Sequence, residues 1–266
     1  MDIIVCLKQV PHPEHFSKVT FDPVRGTKIR EGIPAVINPP DRNALEEALR
    51  LREAHGGTVT VLSMGRPQTR ESLEEALATG ADRAIHLCDR AFSGADTLAT
   101  AATLAAGIRK LGRFDLILCG AESMVGATGQ VGPQLAELLD IPQVTLVEAI
   151  ESSDGGKLVV RRALEHGYMR VMVSLPALIT VTRELNTPRL PSVLGIIEAA
   201  SKQTLTWGCA ELGITPDAVG LEGSPTKVVS IFQRQAGQGR QGEVFTGPAP
   251  EAVRKAVARL RELVEL

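Results

Sequence analysis

At 266 residues the chain is about 1.8 times a ~150-residue domain, long enough to bury a real core. Its 44% apolar and 23% charged residues exclude a disordered, collagenous or low-complexity chain. With 29 basic against 31 acidic side chains, a net of −2, there is no general field to draw it to nucleic acid or an anionic membrane, and with 3% aromatics there are no stacking platforms for single strands.

The four cysteines (Cys6, Cys88, Cys119, Cys209) are far apart, with no CxxC pair and no histidine at metal-ligand spacing. That points away from a zinc site or a disulfide framework and towards a reducing cytosol. Asp2 stands where a signal peptide would carry positive charge, and the apolar run from Ile3 to Leu7 is too short for a signal or a span, so the expected location is the cytoplasm.

In chain order, DIIVCL at 2–7 is a continuous apolar run and predicts a buried strand that opens into a loop at Lys8. VTFDPVRGTKI at 19–29 has turn residues at its centre and predicts a small hairpin. After Asn38-Pro39-Pro40, Asp41 can cap a helix that repeats Ala44, Leu45, Ala48 and Leu49 on one face and stops at Gly56-Gly57. The alternation continues with a strand at 58–64, a helix at 69–79, a strand at 82–88, a helix from Asp96 to Gly112, a strand at 114–119 and a helix after Gly132. Strands separated by helices need crossover connections, so the pattern predicts an α/β fold with a doubly wound, mainly parallel Rossmann-like sheet.

From 144 on, VTLVEAI, KLVVRRAL, YMRVMVS and ALITVTR follow one another without helices and are expected as antiparallel edge strands. Beyond Asn186 the pattern thins, broken by Pro188, Pro191, Pro216 and Pro225 and by the glycine-rich stretch at 236–242, and ends in an amphipathic helix at 250–264. The expected division is an α/β domain at 1–190 and an extended C-terminal arm at 191–266.

Ligands of open α/β sheets bind at the carboxyl ends of the strands, which singles out the loops at 6–12, 37–41, 64–68, 88–96 and 120–132. In the last, Gly120, Gly126, Gly129 and Gly132 let backbone approach a bulky anion, Thr128 and Gln130 offer polar groups, and a helix start adds partial positive charge. A phosphate suits it, although the loop is neither GxGxxG nor a Walker loop and packing alone also explains its glycines. Asn38 and Asp41 can read an adenine or ribose edge, or simply make an Asn-Pro turn and a cap; Asp96 has the same two readings. The histidines at 12, 15, 55, 86 and 166 are scattered, His86 in a strand as a core or edge residue, and no nucleophile elbow or acid–base pair stands out. Arg161, Arg162 and Arg170 lie on predicted strands as solvated positions or as ligand contacts. Any chemistry here is a cofactor's.

Taken together, VCLKQVP at 5–11, GTKIREGIPAVINPPDRNALEEAL at 26–49, CDRAFSGADTLAT at 88–100, GQVGPQLAELL at 129–139, TRELNTPRLPS at 182–192 and GLEGSPTKVVSIF at 220–232 resemble the β subunit of electron transfer flavoproteins, and its electron-bifurcating members more than its respiratory ones. The resemblance covers nearly the whole chain. It implies a heterodimer with a larger FAD-binding α subunit and no turnover by the β subunit alone, with NADH oxidation possible in the complex. It also implies an adenine nucleotide in this subunit: a second FAD in the bifurcating type, or AMP as a structural ligand in the respiratory type. Carried onto this sequence, adenine and ribose fall by Cys6, Asn38, Asp41 and Met64, and the phosphates on Gly120, Ser123, Gly126, Thr128, Gly129, Gln130 and Val131. The segment after Asn186 corresponds to a recognition loop for acyl-CoA dehydrogenases, with Val193 or Leu194 as the apolar anchor. The sequence departs from the bifurcating pattern at Val125 and Ala127, where that type carries acids, at Ala101, where it carries Ser, and at Thr187 and Leu190, where it carries Glu and Tyr.

The expected function is thus electron transfer from NADH between the α-subunit FAD, an acyl-CoA dehydrogenase and a low-potential ferredoxin or flavodoxin, by electron bifurcation, with no metal. The alternatives are a structural AMP-binding subunit of a one-FAD shuttle and, in a different class, a stand-alone nucleotide sensor or hydrolase on the same sheet.

Overall fold

The computed structural model describes residues 1–18, 20–21, 28–29, 32–229 and 242–264. In chain order, β1 (Ile3–Cys6) and β2 (Gln9–Pro11) precede a 3-10 turn at Pro13–Lys18 and the short strands β3 (Thr20–Phe21), β4 (Lys28–Ile29) and β5 (Ala35–Ile37). Then α1 (Pro39–His55), β6 (Val59–Met64), α2 (Thr69–Thr79), β7 (Arg83–Leu87), α3 (Thr97–Leu111), β8 (Leu116–Gly120) and α4 (Val131–Leu139) alternate. They are followed by β9 (Gln143–Asp154), β10 (Lys157–Ala163), β11 (Tyr168–Ser174) and β12 (Ala177–Val181), and last by α5 (Val193–Ala199), β13 (Thr204–Trp207), α6 (Cys209–Leu212) and α7 (Ala249–Val264).

Nine strands form one sheet in the order β11-β10-β9-β12-β8-β1-β6-β7-β13. All pairs from β9 to β13 along that order are parallel, and β10 and β11 add an antiparallel edge. Both faces are covered, which is why β1 is apolar throughout: Ile3 and Val5 pack with Leu45, Leu49, Leu73 and Leu77 of α1 and α2, while Ile4 and Cys6 pack with Leu104, Ile108 and Leu135 of α3 and α4. The doubly wound α/β expectation therefore holds.

Two strands differ from their expectation; β9, expected as an antiparallel edge strand, lies inside the sheet and pairs parallel with β12 and antiparallel with β10. ALITVTR was expected at the antiparallel edge, yet β12 lies inside the sheet, parallel to both β8 and β9, and every one of its residues is buried. A five-residue apolar run bounded by turns reads the same at an edge or in the middle; burial on both faces is what decides, and hydropathy alone does not show it. The predicted hairpin pairs Thr20 with Ile29 and Phe21 with Lys28, and its centre at 22–27 lies outside the described residues, as do residues 236–241 of the glycine-rich stretch.

The chain divides into two compact units, Met1–Val229 and Ser230–Leu266. The first extends well past residue 190: β13 pairs with β7, and Lys202 Nζ donates to the carbonyls of Leu77 (3.0 Å) and Ala81 (2.8 Å) at the end of α2. The short strand TLTW, set among prolines, carried no period long enough to announce it. In the second unit α7 forms as expected, with Arg259 bonded to Glu243 and Glu262, and Val253, Val257 and Leu260 exposed along one stripe. No helix of the described residues is long and apolar enough to cross a membrane.

Candidate functional site

From β1 the chain winds outward through β6 and β7, then returns to place β8 on the other side of β1. The carboxyl ends of β1 and β8 thus flank a topological switch point, where the loops diverge and leave a crevice. A cavity of about 410 Å³ opens there, within the ~300–1,000 Å³ typical of small-molecule sites. Its walls come from the ends of β1, β6 and β8, the start of α1, the loop before α3 and the loop leading into α4.

Asp41 sits at the centre of its construction. It was expected as the cap of α1, but the cap position is Asn38 and Asp41 lies in the first turn, 5% exposed. Its Oδ2 accepts from the N–H of Lys8 (2.7 Å), and its Oδ1 from the N–H of Gly120 (3.0 Å) and Nδ2 of Asn38 (3.0 Å), so one carboxylate ties the ends of β1 and β8 to α1. Asn38 extends the clamp. Its Nδ2 also donates to the carbonyl of Glu122 (2.9 Å), and its Oδ1 accepts from the N–H of Met124 (3.0 Å). Sequence spacing gave no hint that these two residues, about 80 positions away, order the end of β8 and the loop after it.

Burial pushes the Asp41 carboxyl up to about 6, against the pull of the hydrogen bonds from Asn38, Lys8 and Gly120. Burial, and then the Asp41 charge, push the Cys6 thiol up to about 12, and the Cys119 thiol, its partner in register on β8, is likewise raised by burial. Neither thiol is a nucleophile at neutral pH. They form the apolar floor.

The loop after β8 is built from backbone. Gly126 (φ 109°), Ala127 (φ 46°) and Gly129 (φ 62°) have positive φ, at the cost of strain at Ala127, whose N–H bonds back to the carbonyl of Ser123 (3.1 Å). Gln130 provides no side-chain cap to α4, and the first helical hydrogen bond runs from Gln134 N–H to Gln130 O, so the N–H groups of Val131 and Gly132 precede the ladder. Lys8 reaches the same loop, its Nζ 3.0 Å from Ser123 Oγ and 3.2 Å from the carbonyl of Val125. Lys8 was passed over in the sequence as the end of an apolar run, although the loop that follows β1 was among those singled out.

The loop before α3 forms the far wall. Asp96 caps α3, its Oδ1 accepting from Ala99 N–H (2.9 Å), and its Oδ2 also holds the N–H of Thr226 (3.0 Å). Burial raises this carboxyl, but the hydroxyl and N–H of Thr226 and the N–H of Ala99 outweigh that and hold it low. The cap reading of Asp96 holds, and the residue also lines the cavity.

Residues 26–212 match the family model described as electron transfer flavoprotein domain. The sequence is 50% identical over 262 residues to the electron transfer flavoprotein subunit beta of Clostridium acetobutylicum, with 98% of each chain covered. It is 47% identical over 264 residues to the caffeyl-CoA reductase-Etf complex subunit CarD of Acetobacterium woodii, again with 98% of each covered. It is also 41% identical over 243 residues to protein FixA of Azorhizobium caulinodans, covering 89% of this chain and 85% of the relative. The chain belongs to the electron transfer flavoprotein family, as a β subunit.

Of the residues the family resemblance singled out for an adenine nucleotide, Cys6, Asn38, Asp41, Met64, Gly120, Ser123, Gly126, Thr128, Gly129, Gln130 and Val131 all line the one cavity. Val193 and Leu194 stand apart at the start of α5, 75% and 70% exposed. Arg161, Arg162 and Arg170 are on β10 and β11 and line no part of the cavity; Arg161 stacks over Tyr168, and Arg170 pairs with Glu151. His86 is buried on β7 with its Nε2 3.3 Å from the Gly65 carbonyl, the satisfied core residue expected.

Proposed function

We propose that this electron transfer flavoprotein β subunit holds FAD in the switch-point cleft and works only as a heterodimer with an FAD-binding α subunit. In that complex electrons from NADH are divided between an acyl-CoA dehydrogenase, reached through the α-subunit FAD, and a low-potential ferredoxin or flavodoxin. The observation that carries the reading is the cleft itself: a left-handed backbone loop and an uncapped helix start stand beside a lysine, over an apolar floor. The CarD relative, named for a reductase-Etf complex, supports placing the subunit in a larger redox assembly.

The residues present fit a dinucleotide. The N–H groups at the start of α4, the backbone of 126–130 and the Lys8 ammonium form an anion cradle for a pyrophosphate, and Thr128 and Gln130 add polar side chains. Adenine and ribose fall by Cys6, Asn38, Asp41 and Met64. Asn38 and Asp41 already spend their hydrogen bonds on the protein, so they hold the shape of that subsite more than they read it. FAD, when bound, supplies the hydride and one-electron chemistry. The chain supplies position, excludes water with the Cys6 and Cys119 floor, and sets the local field through N–H groups and Lys8. Val193 and Leu194 serve as the exposed apolar anchor for the dehydrogenase.

A second reading is favoured by one feature. The loop carries Val125 and Ala127 where the bifurcating pattern has acids, and a chain without them suits AMP as a structural ligand of a one-FAD shuttle. Anaerobic titration of the purified heterodimer with NADH separates the two. Bleaching of flavin absorbance by NADH is expected; a complex reduced by an acyl-CoA dehydrogenase but untouched by NADH contradicts bifurcation.

A further inference from the structure

We propose that His12, Glu14 and His15 form a binding site for a divalent transition-metal ion, zinc foremost, outside the nucleotide cleft. The histidines read as scattered in the sequence, but the backbone brings these two together. Pro13 opens a 3-10 turn at Pro13–Lys18, and His15 N–H bonds to His12 O at 2.9 Å. With three residues per turn, side chains at i and i+3 stand one above the other. The two imidazoles accordingly meet edge to face, with ring centroids 5.8 Å apart and planes at 77°.

Glu14 completes the set. Its N–H donates to His12 Nδ1 at 3.4 Å, and its Oε2 lies 3.9 Å from the same nitrogen. One ligand atom from each of the three residues lies within 4.8 Å of the others, the only such His, Cys, Asp or Glu group among the described residues. Zinc bonds of ~2.0–2.1 Å in a tetrahedron need ligands about 3.4 Å apart, a closure that takes rotation of the imidazoles as well as of the exposed Glu14 side chain. A second, independent observation is that His15 Nδ1 is buried with no hydrogen-bond partner. A buried ring nitrogen left without a partner costs ~1–3 kcal/mol, a cost that a cation bound at that nitrogen would remove. The backbone is fixed in advance, since Pro11 ends the β2–β5 ladder and His12 N–H bonds to Pro34 O at 2.8 Å.

The donor set selects the ion. Two imidazoles and one carboxylate suit zinc, nickel or copper(II), and three donors are too few and too nitrogen-rich for calcium, which takes six to eight oxygens. Three protein ligands leave a fourth position for water. None of the three residues lines the nucleotide cavity, so the site stands whether or not FAD is the ligand there.

The test uses the full chain, stripped of metal by a chelator and dialysed, and titrated with zinc against a chromophoric chelator, with cobalt(II) absorbance as a parallel probe. One zinc per chain is expected, with a cobalt band of low-coordinate geometry. The His12→Ala/His15→Ala double variant should bind at least about a hundredfold more weakly, since loss of outer-shell partners alone costs ~10–100-fold. Glu14→Gln should weaken binding while leaving the circular dichroism spectrum unchanged, and His166→Ala should change nothing. Absence of stoichiometric zinc, or equal affinity in the double histidine variant, overturns the site.

Discussion

At Gly120 the cleft has no room for a side chain. A Cβ there would stand 2.3 Å from Asp41 Oδ1 and 2.7 Å from Pro40 Cβ, and both belong to the clamped start of α1. Gly120→Ala should cost about 1–3 kcal/mol in urea unfolding and release nucleotide during gel filtration, because the carboxylate must move off the N–H groups it holds. Unchanged stability would show that the clamp is slack. Asp41 makes a second prediction, in pH. Its folded pKa, about 6, is above the unfolded value of 3.8, so between those values the folded chain holds a proton that the unfolded chain has lost. The contribution is greatest below the unfolded pKa and is lost as pH rises through 6. From pH 4 to pH 7, unfolding free energy should therefore fall by roughly 2–3 kcal/mol relative to the Asp41→Asn variant, which has no proton to lose. At pH 7 that variant should still be the less stable of the two, because an amide N–H would face the N–H of Lys8 or Gly120. A relative slope of opposite sign would contradict a buried, raised carboxyl.

At the scale of elements, α1 links two parts of the molecule that lie far apart in sequence. Its first turn clamps the cleft, and its middle anchors the segment that leads into α5. The Glu46 side chain, 4% exposed, accepts from Arg189 Nε at 2.8 Å and Arg50 Nε at 2.7 Å, while Asn43 and Asn186 exchange hydrogen bonds beside them. Burial raises the Glu46 carboxyl, but the bonds from Arg189 and Arg50 outweigh it and hold it low. Arg189→Ala should destabilise by about 1–3 kcal/mol, discounted because Arg189 is itself partly exposed, and Glu46→Gln in the same chain should restore part of the loss. Additive losses would show that the pair is not coupled. The helices α1 to α4 and α7 were legible from sequence, whereas the short α5 and α6 were not. Gly56 and Gly112 end α1 and α3 as read, and Asp96 starts α3, since caps and stops are local chemistry. The place of β12 and the existence of β13 were not legible, because each depends on what the strand packs against. The cleft loops were found from the rule for parallel sheets, but the role of Asp41 was not, since its partners on β1 and β8 come together only once the sheet has formed.

At the scale of the whole molecule, the cleft and the family membership support the proposed reading of a subunit that positions a cofactor for a partner. Burial holds both thiols of the cleft floor protonated, the Asp41 and Asp96 carboxylates are tied to backbone N–H groups, and Lys8 Nζ is held by Ser123 Oγ and the Val125 carbonyl. The family membership follows from 50% identity across 98% of a β subunit, and the proposed bifurcating reading turns on which nucleotide this subunit holds. The decisive measurement is to co-express the chain with its α subunit, denature the purified heterodimer, and count the nucleotides released. Two FAD and no AMP per heterodimer is the expected result; one FAD with one AMP would contradict FAD in the switch-point cleft and leave this subunit a structural one.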